Sequence, residues 1–466
     1  MSTVTVNPPP ASTAPPLQKE TTVGNYFVSN YPPFSFWKPE QTGELFAALE
    51  RNPLTPALSP KRGEGVPKGG RAVVPLGVYV HIPFCRKRCH FCYFKVYTDK
   101  NAKQIGAYID AVLAEMKLYA DKPFIGGRKV DFVYFGGGTP SYLSVDQLRH
   151  LTDEMKAMLP WDAVEEVTFE AEPGTLTNPK LRAIRDMGVT RLSLGIENFD
   201  DHILEINGRA HHSREIYRAY AYAREIGFPQ INIDLIAGMV EETEANWKEC
   251  VRKTLEMSPD SVTIYEMEIP YNTTIYKQMK AEGKLVASVA DWETKRNWVR
   301  YAFAELERAG YTVASAYTAV KDPARAKFVY RDKLWAGADL IGLGVASFGH
   351  VGGTHYQNQH DFEPYVSQIG RGELPVYRGL TPTEDERLIR EFILQLKKGR
   401  VSRAYFKNKF GVDPNQRFAQ EFQRLKDWGF LEIKGDAVIL NRDALLQVDR
   451  LLHEFFLPEH RNARYA

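Results

Sequence analysis

From residue 76 the chain alternates short apolar runs with longer stretches whose apolar residues recur at helical spacing. Six runs predict strands: LGVYVHI (76–82), DFVYF (131–135), EEVTFE (165–170), RLSLGI (191–196), INIDLI (231–236) and SVTIYE (261–266). Amphipathic helices are predicted at about 103–120, 144–158, 178–187, 212–226, 243–257 and 288–309. Six strand–helix repeats imply parallel strands joined by right-handed crossovers. The fold class is therefore α/β, and a partial TIM-like (βα)6 barrel is favoured over a full eight-stranded one. In either form the chemistry belongs at the C-terminal ends of the strands.

The barrel is assigned to residues 75–320, followed by a connecting region over 321–380. After about 375 the pattern turns mostly helical, with helices predicted near 384–397, 402–410 and 414–428. FLEIKGDAVIL (430–440) then reads as a hairpin turning at Lys434, Gly435 and Asp436. Residues 381–466 thus predict a winged-helix-like C-terminal domain. Its helices carry acidic as well as basic residues, which favours a packing module or lid over a DNA reader. Ahead of the barrel, residues 1–22 are rich in Pro, Thr, Ser and Ala and predict a disordered tail. The aromatic stretch NYFVSNYPPFSFW (25–37), with a short helix at 43–50, forms an arm (23–50) expected to pack on the main body. Residues 51–74 are rich in Pro and Gly and read as a linker or insertion.

Composition narrows the class further. The 466 residues are 44% hydrophobic and 25% charged, ordinary for a soluble protein with one large domain and smaller ones. Sixty basic against 58 acidic residues leave a formal charge of +2, which points to neither a nucleic acid nor a membrane surface as partner. The start, MSTVTVNPPPASTAPP, has no basic or apolar run, so no secretory signal is expected. No stretch is long and apolar enough to predict a membrane span. Three of the four cysteines fall within eight residues, poor for a disulfide framework and good for a metal or cluster site in a reducing compartment. A cytoplasmic enzyme is the expectation.

Those three cysteines follow the first strand, in His81-Ile-Pro-Phe-Cys85-Arg-Lys-Arg-Cys89-His-Phe-Cys92. A Cys-x3-Cys-x2-Cys loop can curl three thiolates around one face of a cubane, leaving the fourth iron open. Arg86, Lys87 and Arg88 lower the cost of gathering thiolates. Zinc held with His81 or His90 is an alternative, although structural zinc usually draws on two spaced ligand pairs. Three merely structural cysteines are a third reading. A cluster loop after strand one of a strand–helix barrel resembles the radical S-adenosylmethionine (SAM) superfamily. The resemblance implies a [4Fe–4S] cluster whose open iron chelates S-adenosylmethionine. One electron then yields methionine and a 5′-deoxyadenosyl radical that abstracts hydrogen, with the cofactor carrying the chemistry.

The likeness runs on through YFGGGTPSYL (134–143), FEAEPGTL (169–176), RLSLGIENF (191–199), NGRAH (207–211), INIDLIAG (231–238) and LIGLGVASF (340–348). Together these resemble the oxygen-independent coproporphyrinogen III oxidase family, which includes haem chaperones and radical methyltransferases. The resemblance implies that Cys85, Cys89 and Cys92 bind the cluster. It implies that Gly137, Gly138, Thr139 and Glu170 contact a first S-adenosylmethionine, and that Tyr79 and Phe91 flank two such molecules. Glu197, Arg209 and Asp234 would surround a second, with Phe348 a looser contact. Taken alone, the glycines are equally a tight turn, and Glu170, Arg209 and Asp234 equally ion-pair partners. No further catalytic residue is assigned. Cys250, beside Trp247 in a helix, reads as a core thiol, and His211 and His212 as a helix-capping region.

Several positions depart from the family pattern. Phe94 stands where many of the oxidases have a further cysteine, and Glu197 where much of the family has Gln. The haem chaperones carry His-Asn-x-x-Tyr-Trp where this chain has Tyr330-Arg-Asp-Lys-Leu-Trp335. SNYPPF (29–34) and YQNQHDFEPY (356–365) instead resemble the oxidases. The resemblance therefore implies oxidative decarboxylation of tetrapyrrole propionates. Radical methyl transfer or cyclopropanation is the alternative enzyme reading, and haem carriage the non-enzymatic one. It further implies an external electron donor such as flavodoxin or ferredoxin, one or two S-adenosylmethionine molecules, and a monomeric chain.

Overall fold

The computed structural model describes residues 26–52, 74–161, 163–270, 273–282, 289–461 and 463. The expected tail (1–22) and most of the expected linker (51–74) lie outside the described residues. Six strands run parallel and pair in chain order: β1 (Leu76–Ile82), β2 (Phe132–Gly137), β3 (Glu166–Ala171), β4 (Arg191–Glu197), β5 (Gln230–Ala237) and β6 (Ser261–Glu266). Two short strands, β7 (Thr312–Val313) and β8 (Thr318–Val320), continue past β6 antiparallel. On the other side, β9 (Asp339–Leu343) pairs parallel with β1, adding a seventh parallel strand that the six-unit reading had not counted. Beyond it come β10 (Phe348–Val351), β11 (Thr354–Asn358) and β12 (Val376–Leu380), completing a 12-stranded sheet. LIGLG (340–344) could be seen as an apolar run in the sequence. Its place beside β1 depends on a chain return of more than 250 positions, which local pattern does not encode.

The strands sort their side chains by alternation. Val78, Val80, Phe135, Leu192, Leu194, Ile231, Ile233 and Val262 are buried in the main hydrophobic core with the crossover helices. Between them, Ser193, Asn232, Ser261 and Thr263 on β4, β5 and β6 are polar and pair with one another. Asn232 Nδ2 donates to Ser193 Oγ at 2.9 Å, and Ser261 and Thr263 donate to Asn232 Oδ1 at 2.7 and 3.0 Å. Burying amides and hydroxyls is tolerated because each finds a partner. The interior is thus polar along β4 to β6, whereas Phe132 and Leu340 form an apolar group with Tyr79 and Tyr330 on the other side.

Helix ends follow their caps. The helix Ala102–Ala120 starts at a capping box made by Asn101 and Gln104, and Val145–Met158 at one made by Ser144 and Gln147. The last predicted barrel helix begins at Trp292, where Asp291 accepts from Thr294 N at 2.8 Å. The helix predicted over 414–428 is two, Pro414–Arg417 and Ala419–Asp427. Phe418 breaks it, its ring drawn into a cluster with Phe392 at 4.7 Å and Phe455 at 5.2 Å. That cluster lies in a second core, which also packs the three-stranded sheet of β13 (Arg400–Ser402), β14 (Leu431–Lys434) and β15 (Ala437–Leu440). The β14–β15 hairpin turns where the sequence placed it.

The arm is seated on the body. Tyr31 is fully buried, its hydroxyl accepting from Leu457 N at 3.1 Å and lying 2.7 Å from His460 Nδ1. The Trp37 ring stacks on His355 at 5.2 Å. Among the described residues, no helix is long and apolar enough to cross a membrane.

Candidate active site

The three cysteines sit in a loop that leaves the C-terminal end of β1. The loop is pinned at its base, where Cys85 N donates to Tyr97 O at 3.1 Å and Tyr97 N to Pro83 O at 2.8 Å. At its tip, His90 N donates to Asn207 O at 3.0 Å. All three thiols are free and partly exposed, whereas Cys250 is buried against Asn198 Oδ1 at 3.1 Å, as expected of a core thiol.

Two donors point at the sulfurs. The Thr139 hydroxyl donates to Cys85 Sγ at 3.2 Å, and Arg209 Nη1 to Cys89 Sγ at 3.3 Å. Gly138 also approaches closely: a Cβ there would lie 3.0 Å from Cys85 Sγ and 2.9 Å from Ile82 O. Gly137 adopts φ +111°, open to glycine, and a side chain would strike His81 at 2.6 Å. The triple glycine is thus both a turn and a close approach. Burial pushes the Cys85 and Cys92 thiols up, to about 11 and about 12, so a metal that binds them must displace protons.

These residues fit an iron–sulfur cluster. Three thiols share one loop, two carry hydrogen-bond donors, and basic side chains stand beside them. Hydrogen bonds to the sulfurs are among the features that tune such clusters. A single zinc ion would instead need its ligands converging at ~2.3 Å on one point. Among the described residues, no three His, Cys, Asp or Glu side chains do so.

Behind the loop lies a group of partly buried acids. Glu170, at the end of β3, accepts from Tyr134 Oη at 2.5 Å and from Gly137 N at 3.2 Å. Burial still pushes it up to about 7. Glu197 ends β4 at a register shift, in the left-handed region at φ +65°, with its Oε1 3.5 Å from Arg209 Nη2. Burial raises it to about 7; the Arg209 charge opposes that, while Asp234 and Glu170 add to it. Asp234 accepts from Ser193 at 2.8 Å and from Asn232 at 2.8 Å, and burial raises it too. Arg209 also donates to Gly195 O at 2.6 Å, so one guanidinium bridges the loop sulfur, strand β4 and Glu197. Tyr79 lies 3.1 Å from His81 Nδ1 and stacks on Tyr134, whose hydroxyl holds Glu170.

Two expected contacts lie further out. Phe91 packs on an apolar group that contains Ile203, Ile236 and Met267. Phe348 meets the arm, 4.5 Å from the Phe34 ring. A third group was not singled out from the sequence. Glu172 takes a hydrogen bond from Arg86 at 3.0 Å and lies 3.2 Å from buried His211. Burial works against its charge, but His211, Arg209 and Arg86 outweigh it and hold Glu172 at about 2. This network anchors the cysteine loop to the segment carrying Arg209. His211 therefore does more than cap a helix, whereas His212 does cap one, with Glu215. The one available signal was Glu172 in FEAEPG, two positions after Glu170.

Comparison with known proteins agrees with this geometry. Residues 79–254 match the family model described as the radical SAM superfamily. The chain is 28% identical over 370 residues to the heme chaperone HemW of Bacillus subtilis, covering 79% of this chain and 96% of that protein. It is 27% identical over 333 residues to the oxygen-independent coproporphyrinogen III oxidase of Escherichia coli, covering 69% and 71%. The solved coproporphyrinogen III oxidase (HemN) from Escherichia coli, a radical SAM enzyme, superposes with a TM-score of 0.76. That match covers 92% of this chain and 96% of the other at 23% identity, and it speaks to the fold.

Proposed function

We propose that this radical SAM protein, which resembles the oxygen-independent coproporphyrinogen III oxidases and HemW, oxidatively decarboxylates propionate side chains of a tetrapyrrole. One observation carries the reading: the cysteine loop, with donors aimed at two of its sulfurs, lies at the C-terminal mouth of a barrel beside partly buried carboxylates raised to about 7. Cys85, Cys89 and Cys92 would hold a [4Fe–4S] cluster. When bound, the cluster and S-adenosylmethionine supply one-electron bond cleavage and hydrogen-atom abstraction.

The chain's own residues bind, aim and seal. Thr139 and Arg209 offset negative charge on the loop sulfurs. Glu170, held by Tyr134 and Gly137 N, is placed to accept an ammonium, and Gly137 and Gly138 let backbone approach the ligand. Arg209 and Asp234 supply a carboxylate partner and a ribose or ammonium partner for a second S-adenosylmethionine. Tyr79, stacked on Tyr134, helps keep water from the radical chemistry, with Phe91 packed further out. In the overall reaction a propionate loses one hydrogen atom, one electron and carbon dioxide, leaving a vinyl group. The further electron requires an external acceptor, and reduction of the cluster an external donor of the flavodoxin or ferredoxin kind. A monomeric chain in a reducing cytoplasm suits this role.

The test is anaerobic incubation of the reconstituted chain with S-adenosylmethionine, dithionite and coproporphyrinogen III, read by mass spectrometry. The proposal expects loss of carbon dioxide with two hydrogens per vinyl formed, abolished by Cys85→Ala, Cys89→Ala or Cys92→Ala and kept in Cys250→Ala. Adenosyl cleavage with intact substrate would sink the substrate assignment. A second reading, haem carriage, is favoured by the match over 96% of HemW. Against it, Tyr330 and Arg331 replace the signature His and Asn, and Tyr330 packs on Tyr134 at 4.4 Å. A one-to-one haem complex with a ligated Soret band would put that reading first.

A further inference from the structure

We propose that the opposite, N-terminal end of the barrel holds a binding site for a small oxyanion, a carboxylate or phosphate group, clasped by Arg191 and Arg331. A cavity of about 180 Å³ lies there. Arg191, Gln230 and Ser261 line it, and these are the first residues of β4, β5 and β6. Six steps of β4 separate Arg191 from Glu197, about 20 Å at ~3.3 Å per residue. The cavity is therefore separate from the cysteine loop.

The donors are buried. Arg191 is 2% exposed and Arg331 9%. The Phe328 ring serves both as a platform, 4.1 Å from the Arg191 guanidinium and 5.5 Å from that of Arg331. Arg331 gives two N–H bonds to Asp332 Oδ1, at 3.1 and 3.0 Å, yet its buried Nη1 has no acceptor among the described residues. The buried Nε of Arg191 has none either. Lys327 and Lys398 also line the cavity, and Lys398 lies 4.0 Å from Asp332. Four cations thus face one acid that two of them already share.

The chemistry selects the ligand. A guanidinium is a planar fork whose paired N–H groups match the two oxygens of a carboxylate or phosphate. Two forks held on one ring are preorganised, so little side-chain freedom is lost on binding. Arg191 also lowers the pKa of Asp234 and Glu170 deeper in the barrel, so part of its charge is answered inward. Its hydrogen-bonding need is not. Ordered water could meet that need instead, and the experiment separates the two cases.

The reconstituted full chain is titrated with inorganic phosphate and, separately, with malonate, by calorimetry at constant ionic strength balanced with chloride. We expect saturable uptake of one ion per chain, weakened at least tenfold in Arg331→Gln and less in Arg331→Lys. Saturation by phosphate alone marks a phosphate-bearing ligand, and saturation by malonate alone a carboxylate-bearing one. No saturable binding in the parent chain, or equal affinity in a folded Arg331→Gln variant, would overturn the proposal. The parent titration is decisive even where a variant fails to fold, and neither arm depends on the tetrapyrrole reading.

Discussion

Replacing Thr139 with Val tests the most specific contact at the cysteine loop. Val keeps the shape of a side chain that is 8% exposed, but it removes the hydroxyl that donates to Cys85 Sγ at 3.2 Å. A hydrogen bond to a charged acceptor is worth ~1.5–3 kcal/mol. If about half is gained only on reduction, the loss is ~0.7–1.5 kcal/mol, or about 30–65 mV for a one-electron couple. The sign follows from charge. Reduction adds an electron near the sulfurs, and a donor stabilises that state, so its removal lowers the potential. The assay is a redox titration of the reconstituted chain followed by electron paramagnetic resonance, without S-adenosylmethionine. Thr139→Ser, which keeps the hydroxyl, should stay near the parent. A Val variant within about 10 mV of the parent, or a Ser variant shifted equally, would show that this contact does not tune the cluster.

Glu197→Gln removes the carboxylate 3.5 Å from Arg209. It should weaken S-adenosylmethionine binding, read by equilibrium dialysis, while slow uncoupled adenosyl cleavage continues; unchanged binding and turnover would make Glu197 a bystander. Acid should destabilise the β10–β11 hairpin, because burial holds His350 at about 3 and lowers His355 well below its ordinary 6.5. At these two side chains the unfolded chain binds more protons below pH 6.5, so their contribution to stability falls as pH drops. Glu170 and Glu197, raised to about 7, contribute in the opposite sense. For His350 alone the loss at pH 5 is about 2 kcal/mol. Urea unfolding of the parent and of His350→Phe at pH 7.5 and 5.0 isolates that contribution, and an equal pH dependence in the two would refute it. Phe392→Ala, which empties the centre of the aromatic cluster, should cost ~3–5 kcal/mol by the same assay, and a loss under ~1 kcal/mol would mean that the C-terminal core repacks.

Local order was written plainly in the chain. Strand β1 and strand β6 begin and end where their apolar runs do, because alternation over six or seven residues is a local property. The cysteine spacing likewise placed three thiols on one loop, since loop length needs no tertiary partner. The break at Phe418 could not be read this way. Helical periodicity runs through it, and only the pull of Phe392 and Phe455 outweighs the continuing helix.

The sequence by itself determined the first six strands with their crossover helices, and where the thiols cluster. Tertiary structure decided what those residues meet. Thr139 and Arg209 reach two different sulfurs from segments 54 and 120 positions away. Glu197 and Glu170 are ordinary acids in the sequence, and it is burial inside the closed mouth that raises both to about 7. β9 joins β1, and Arg191 meets Arg331 across one phenyl ring, because the chain returns to the barrel's edge after passing through six strands. Periodicity is set by neighbours three or four positions away. Contact, burial and the field at a titrating group are set by whatever the folded chain brings close, and a linear pattern carries no record of that.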